Sequence, residues 1–169
     1  MLSISLFVEF LRGRPLVLFW TMAASQIVLW TLIPALFYSA PPGELSVALL
    51  IGREFRLGSE FGPPLAFWLA EIAYRAAGMF GVYLLSQLCI VTAYWAVLRL
   101  ARDIVGTTLA VMAVLLMAGI AVLSVPTPEF RPGIMATPLW ALVLLHRSEE
   151  HTSELQSLAY LVCRLLLEK

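Results

Sequence analysis

The sequence predicts an all-α, polytopic membrane protein, and three observations lead to this prediction. Hydrophobic residues make up 61% of the 169-residue chain, charged residues only 13%, and the mean hydropathy is +0.90. A soluble domain has roughly 25% charged residues and does not bury so large an apolar excess. Uncharged apolar runs recur along the chain between short charged or proline-rich segments. We therefore expect three full transmembrane helices and a truncated fourth.

The apolar runs set the order of the predicted spans. A bilayer core needs about 20 apolar residues in a helix, and the last run is shorter than that. The first run is longer than the roughly 7–15 apolar residues of a secretory signal peptide, so we interpret it as a transmembrane helix. The spans cover about residues 15–38, 80–98, 105–125 and, in part, 134–146.

The segment between the first two spans, residues 39–79, has a different character because it contains seven charged residues and four prolines. Within it, residues 43–58 and 63–78 place apolar side chains at helical spacing and charges on the other face. This pattern is typical of helices that lie in the membrane interface instead of crossing it. We expect two interfacial helices in this loop.

Arginine placement favours a cytoplasmic N-terminus. One group of arginines lies directly against the spans with few acids nearby, whereas the other lies among five glutamates. The first group is Arg12, Arg14, Arg99 and Arg102, and the second is Arg53, Arg56, Arg75 and Arg131. The raw numbers are equal, so the prediction rests on how closely the first group flanks the spans. It places residues 39–79 on the extracytoplasmic side.

The end of the chain does not have the character of natural protein sequence. Residues 147–157 (RSEEHTSELQS) and 161–169 (LVCRLLLEK) match, in frame and in order, the translation of a common sequencing-library adapter. We therefore assign residues 147–169 to adapter read-through and expect the natural protein to continue beyond His146 with more spans. A polar linker followed by a short amphipathic helix is the alternative.

The loop after the first span also contains an ordered set of motifs. An acid is followed nine residues later by an arginine–glutamate pair, then by a glycine, a PPLAFWL string and a final glycine. These are Glu44, Arg53–Glu54, Gly58, Pro63–Leu69 and Gly78. In their order and spacing, residues 15–146 resemble bacterial GT-C glycosyltransferases of the protein mannosyltransferase and aminoarabinose transferase type (glycosyltransferase families 39 and 83).

The chain departs from that family at two acidic positions. The family usually has an aspartate, often as Asp-Glu, where this chain has Gly43 and Glu44. The aspartate that precedes a Pro-Leu pair in the family is replaced by Thr137, although Glu129 lies in the corresponding loop. Ancestry is therefore better supported by the sequence than activity.

The resemblance implies a membrane enzyme that moves a sugar from a polyprenyl-phosphate carrier to a lipid, glycan or protein acceptor. The reaction would occur at the extracytoplasmic face of the bacterial inner membrane, with membrane lipids around a multi-pass protein. By resemblance, Glu44 is the general base and Glu129 contributes to substrate binding. Some relatives use a divalent metal, but the sequence contains no metal-ligand pattern and no other visible cofactor motif.

Simpler interpretations stand beside these roles. Glu44 follows a Pro-Pro-Gly turn and is equally explained as an acid favoured by the dipole at a helix start. The loop arginines, Arg53, Arg56 and Arg75, suit a carrier phosphate through their planar guanidinium groups. They are also explained by pairing with nearby glutamates or by contact with lipid headgroups.

The chain as a whole has a second interpretation, a transporter or scaffold piece without chemistry. This class explains the composition but not an acid and two interfacial helices in one loop. A net charge of zero gives no sign of nucleic-acid binding.

Overall fold

The computed structural model describes residues 13–55, 57, 60–120 and 130–148, and within these residues it contains helices joined by turns and no strands. We number its five helices in chain order. They are α1 (Pro15–Phe37), α2 (Leu45–Arg53), α3 (Pro64–Val105), α4 (Thr107–Ala118) and α5 (132–148). The prediction of an all-α protein is confirmed.

Two helices, α1 and α3, are long and apolar enough to cross a membrane. Large apolar side chains remain exposed along α1, among them Trp20, Leu36 and Phe37. In water, so much exposed apolar surface would be unfavourable, whereas lipid solvates it. These features belong to a membrane protein, and the number of complete spans stays a prediction.

The long helices pack around one apolar cluster. It joins α1, α3 and α4 through Phe19, Ile90, Tyr94, Leu98, Ala110, Val111 and Val114. Beside this cluster, the side-chain amide of Gln26 on α1 donates a hydrogen bond of 3.3 Å to Gln87 on α3, and both side chains are buried. Polar pairs of this kind hold helices together where the surrounding lipid gives no hydrophobic drive for association.

Helix α3 contains a break that divides it into an arm and a span. Ala77 and Gly78 have non-helical backbone angles, and Gly78 has φ 63° and ψ −151°, a combination that side chains rarely permit. Three residues further on, Gly81 lies against the carbonyl oxygen of Ala73, where a Cβ atom would overlap it. The chain therefore changes direction where the predicted loop 39–79 meets the predicted span 80–98.

A second apolar cluster holds the loop helices onto the span. It consists of Leu45 from α2, Ala70 from the arm of α3, Val82 and Tyr83 from its span, and Phe130. At Gly52, α2 approaches the arm so closely that a Cβ atom would overlap the carbonyl oxygen of Phe67. The charged loop is thus a packed unit with its own core.

The helix boundaries differ from the predicted spans at several ends. Helix α3 continues past residue 98 to Val105, and Arg99, which was expected to close the span, lies over the ring of Trp95 (5.8 Å). Helix α4 begins after Gly106, whose φ is 83°, and covers only part of the predicted span 105–125; residues 121–125 lie outside the described residues. Helix α5 runs past the predicted end at residue 146.

Candidate active site

Glu44 lies immediately before α2, at the position predicted for the catalytic acid. A turn with positive φ at Gly43 precedes it, and its carbonyl oxygen accepts a hydrogen bond from the Ala48 N–H (2.9 Å). The Glu44 side chain makes no capping hydrogen bond to the helix. An acid at a helix start is favoured by the helix dipole without such a bond, so both roles of Glu44 stay predictions.

A small cavity lies beside Glu44. Its volume is about 20 Å³, enough for a water molecule but far too small for a sugar in this conformation. It is lined by Glu44, Val47, Ala48, Ile51, Phe61, Phe67, Phe130, Arg131 and Pro132. The residues that line the cavity therefore include an acid from the first loop and an arginine from the second loop.

A larger, open groove lies between α2 and the arm of α3. Its volume is about 940 Å³, which is sufficient for a headgroup or a sugar. It is lined by Pro41, Ser46, Leu49, Leu50, Arg53, Glu71, Tyr74, Arg75, Gly78 and Met79. Two of the predicted substrate-binding residues, Arg53 and Arg75, thus come together here.

The cavity and the groove lie on opposite faces of α2. The α2 residues that line the cavity are Val47, Ala48 and Ile51, and those that line the groove are Ser46, Leu49, Leu50 and Arg53. At 100° per residue, the two sets point about 180° apart. Glu44 and the groove arginines therefore do not line one cavity.

Arg75 is held by contacts on two sides. Its Nε donates to Oε1 of Glu71 at 2.8 Å, one helical turn earlier, and its guanidinium lies over the ring of Phe55 at 5.4 Å. The Glu71 side chain is 7% exposed, whereas that of Arg75 is 58% exposed. The pairing that was the alternative to phosphate binding is therefore present, and it uses the Nε edge of the guanidinium.

The remaining positions that the sequence singled out line neither the cavity nor the groove among the described residues. Arg56 and Glu129 lie outside the described residues. The hydroxyl of Thr137, which stands in place of an aspartate in the resemblance, donates to the carbonyl oxygen of Ile134 (2.6 Å) inside α5.

Arg131 was counted only for membrane orientation and was missed as a site residue. Its position two residues after Glu129, in the loop that precedes the last apolar run, was the available signal.

The described residues give no support for a metal site. Across residues 13–55, 57, 60–120 and 130–148, no group of three or more His, Cys, Asp or Glu side chains is arranged to hold an ion. The divalent metal that the resemblance implies stays a prediction from the sequence.

The helical fold and the apolar surface exposed along the long helices are those of a membrane protein. The family model for dolichyl-phosphate-mannose-protein mannosyltransferases matches residues 62–167, more than half of the chain. The chain belongs to this family, and it is a membrane glycosyltransferase sequence of the GT-C type. No curated protein and no solved structure matches it.

The matched range leaves out the first loop's acid and includes the end of the chain. It begins after Glu44 and Arg53, so the roles of these two residues rest on the sequence resemblance and on geometry. It also includes residues 147–167, part of the range predicted to be translated adapter. That assignment stays a prediction.

Proposed function

We propose that this protein transfers a sugar from a polyprenyl-phosphate carrier to an acceptor hydroxyl at the extracytoplasmic face of a bacterial inner membrane. The observation that carries the proposal is the family match over residues 62–167. The acid–arginine cavity beside α2 supports it, since transfer from a phosphate carrier needs both a base and a cation. A transporter or scaffold would require neither.

Glu44 is the general base of the proposed reaction. The acceptor oxygen attacks the anomeric carbon of the sugar and gives its proton to the Glu44 carboxylate. The bond between the anomeric carbon and the carrier oxygen breaks, and the polyprenyl phosphate leaves with that electron pair. The small volume of the cavity implies that the loops around Glu44 must separate before a sugar enters.

The groove arginines are proposed to receive the carrier lipid. Arg53 and Arg75 lie on the side of α2 away from Glu44, in a groove large enough for a headgroup. Among the described residues, Arg53 is part of no ion pair, and Arg75 uses only its Nε toward Glu71. Their terminal nitrogens suit a phosphate at an initial docking position.

Replacement of Glu44 by glutamine tests the proposal. The change keeps the size and hydrogen bonding of the side chain but removes the base. We expect sugar transfer to fall by about 10²- to 10⁴-fold. The measurement is transfer of labelled mannose from polyprenyl phosphate by the complete protein reconstituted in lipid.

Glu60→Gln is the matched control, because Glu60 is an exposed acid of the same loop that lines neither the cavity nor the groove. Its transfer rate should remain close to that of the unmodified protein. Near-normal turnover in the Glu44 variant would leave Glu44 as a helix-start residue only. Failure of the unmodified protein to transfer mannose, glucose or aminoarabinose from such donors would contradict the proposed function itself.

A further inference from the structure

We infer that the end of α3 opposite the charged loop binds an anionic phospholipid, in the leaflet predicted to be cytoplasmic. Its contact surface consists of Leu88, Trp95, Arg99 and Arg102, which we call the α3 stripe. At 100° per residue, these four positions lie within about 60° of one another around the helix. The α3 stripe has no role in the sugar transfer proposed above, so the two hypotheses can fail separately.

The α3 stripe matches the length of one phospholipid. Arg102 lies 14 positions after Leu88 (102 minus 88), and at 1.5 Å per residue the stripe is about 21 Å long. A bilayer with its headgroups is about 40–45 Å thick, so one leaflet measures about 20–22 Å. When Arg102 lies among the headgroups, Leu88 therefore lies beside the far part of the acyl chains.

The lower half of the α3 stripe is an apolar surface. Leu88 is 47% exposed, and the half-buried Trp95 is an aromatic residue of the type found at the boundary between chains and headgroups. Thr92, which lies between them, donates its hydroxyl to the carbonyl oxygen of Leu88 (2.7 Å). That hydroxyl is satisfied within the helix and presents no open donor to an acyl chain.

The upper half of the α3 stripe suits a phosphodiester. Arg99 and Arg102 are both exposed, and the guanidinium of Arg99 is 5.8 Å from the ring centroid of Trp95. Among the described residues, neither arginine forms an ion pair, and the adjacent Asp103 pairs with neither. Their N–H groups are therefore open to phosphate oxygens, which a guanidinium binds with two parallel hydrogen bonds.

The two halves together favour a lipid over a soluble anion. A free phosphate would contact the arginines alone, whereas an anionic phospholipid contacts the whole length of the α3 stripe. Basic side chains at the end of a membrane helix attract anionic lipids in this way. A zwitterionic lipid fits the apolar half equally well but gains less from the arginines, because its headgroup carries no net charge.

Quenching by brominated lipids tests the inference in the complete protein. With the native cysteines replaced by serine, a bimane fluorophore is attached at Leu88→Cys. The protein is placed in phosphatidylcholine vesicles that contain brominated phosphatidylglycerol or brominated phosphatidylcholine at the same mole fraction. We expect phosphatidylglycerol to be preferred by about fivefold for each arginine, and by up to about 25-fold for the pair.

Leu32→Cys on α1 is the matched control. Leu32 is 43% exposed and lies 180° around the helix from the buried Ala23, so it also faces lipid. Bimane at this position should be quenched equally by the two lipids. At Leu88, Arg99→Gln/Arg102→Gln should reduce the preference to within about twofold of unity. Asp103→Asn should raise it by at least about twofold, because a repelling charge is lost.

Three results would overturn the inference. The first is equal quenching by both lipids at Leu88, or a preference that survives Arg99→Gln/Arg102→Gln. The second is no quenching at Leu88 by either lipid, which would mean that another helix covers the α3 stripe. The third is loss of the preference when soluble glycerol phosphate is added, which would assign the arginines to a free phosphate. None of these measurements depends on sugar transfer.

Discussion

The Glu71–Arg75 pair joins a buried carboxylate to a mostly exposed guanidinium, and this asymmetry has a consequence for stability. Arg75→Gln leaves the 7%-exposed Glu71 side chain without its cation, so we expect a loss of about 1–3 kcal/mol in unfolding free energy. Glu71→Gln leaves Arg75 to be solvated by water or lipid headgroups and should cost less than about 1 kcal/mol. Chemical denaturation of the purified protein measures both values.

The double variant Glu71→Gln/Arg75→Gln provides the control for this pair. Because it leaves no buried charge, it should be more stable than Arg75→Gln alone. A larger loss from the Glu71 change than from the Arg75 change would mean that the carboxylate is better solvated than its burial indicates.

At the residue scale, the sequence predicted the position of Glu44 but not its surroundings. Arg53 lies nine positions after Glu44, and at 100° per residue this spacing places them on opposite faces of a helix. The separation of Glu44 from Arg53 could therefore be predicted from the sequence, once residues 45–53 were interpreted as a helix. The position of Arg131 beside the Glu44 cavity could not be predicted from the sequence, because it depends on how Phe130 packs against α2 and α3.

At the element scale, the contact between α2 and the arm of α3 depends on Gly52. A Cβ atom there would overlap the Phe67 carbonyl oxygen and lie 3.0 Å from the Cβ of Glu71. Backbone cannot yield as a flexible side chain can, so Gly52→Ala should push the helices apart. We expect a loss of about 1–3 kcal/mol in unfolding free energy, measured by denaturant titration in detergent.

Gly133→Ala is the matched control for the Gly52 variant. Gly133 also lies in a helix, but a Cβ atom there would meet nothing within 4 Å. Alanine should be neutral or should stabilise the protein by up to about 1 kcal/mol, because it restricts the unfolded chain. Equal effects at both positions would show that α2 does not pack on the arm in this way.

Apolar periodicity predicted which segments are helical but not where each helix ends. The interfacial helix at 63–78 and the span after it were expected as separate elements, and the break at Ala77–Gly78 separates them inside one continuous α3. The charge of Arg99 did not mark the C-terminal end of α3, since the guanidinium group of Arg99 lies over the Trp95 ring while the helix continues. Such contacts depend on side-chain geometry that composition does not encode.

At the scale of the whole molecule, the predicted topology can be measured by cysteine labelling in intact cells. In a background with Cys89 and Cys163 replaced by serine, Leu57→Cys should react with a membrane-impermeant maleimide, because Leu57 is 83% exposed in the loop predicted to face outside. Asp103→Cys, at the opposite end of the α3 span, should react only after the cells are permeabilised. The reverse pattern would invert the orientation.

The joint at Gly78 also couples the loop to the thickness of the bilayer. The part of α3 after the joint, residues 79–105, measures about 40 Å at 1.5 Å per residue, more than the roughly 30 Å of a hydrocarbon core. Its uncharged part, residues 80–98, measures about 28 Å at the same rise, close to the thickness of the core, so we expect the helix to tilt in a thinner bilayer. Since the arm continues from the same helix, a change in tilt moves the arm relative to the membrane surface. We therefore expect lipid chain length to influence how the groove beside the arm opens.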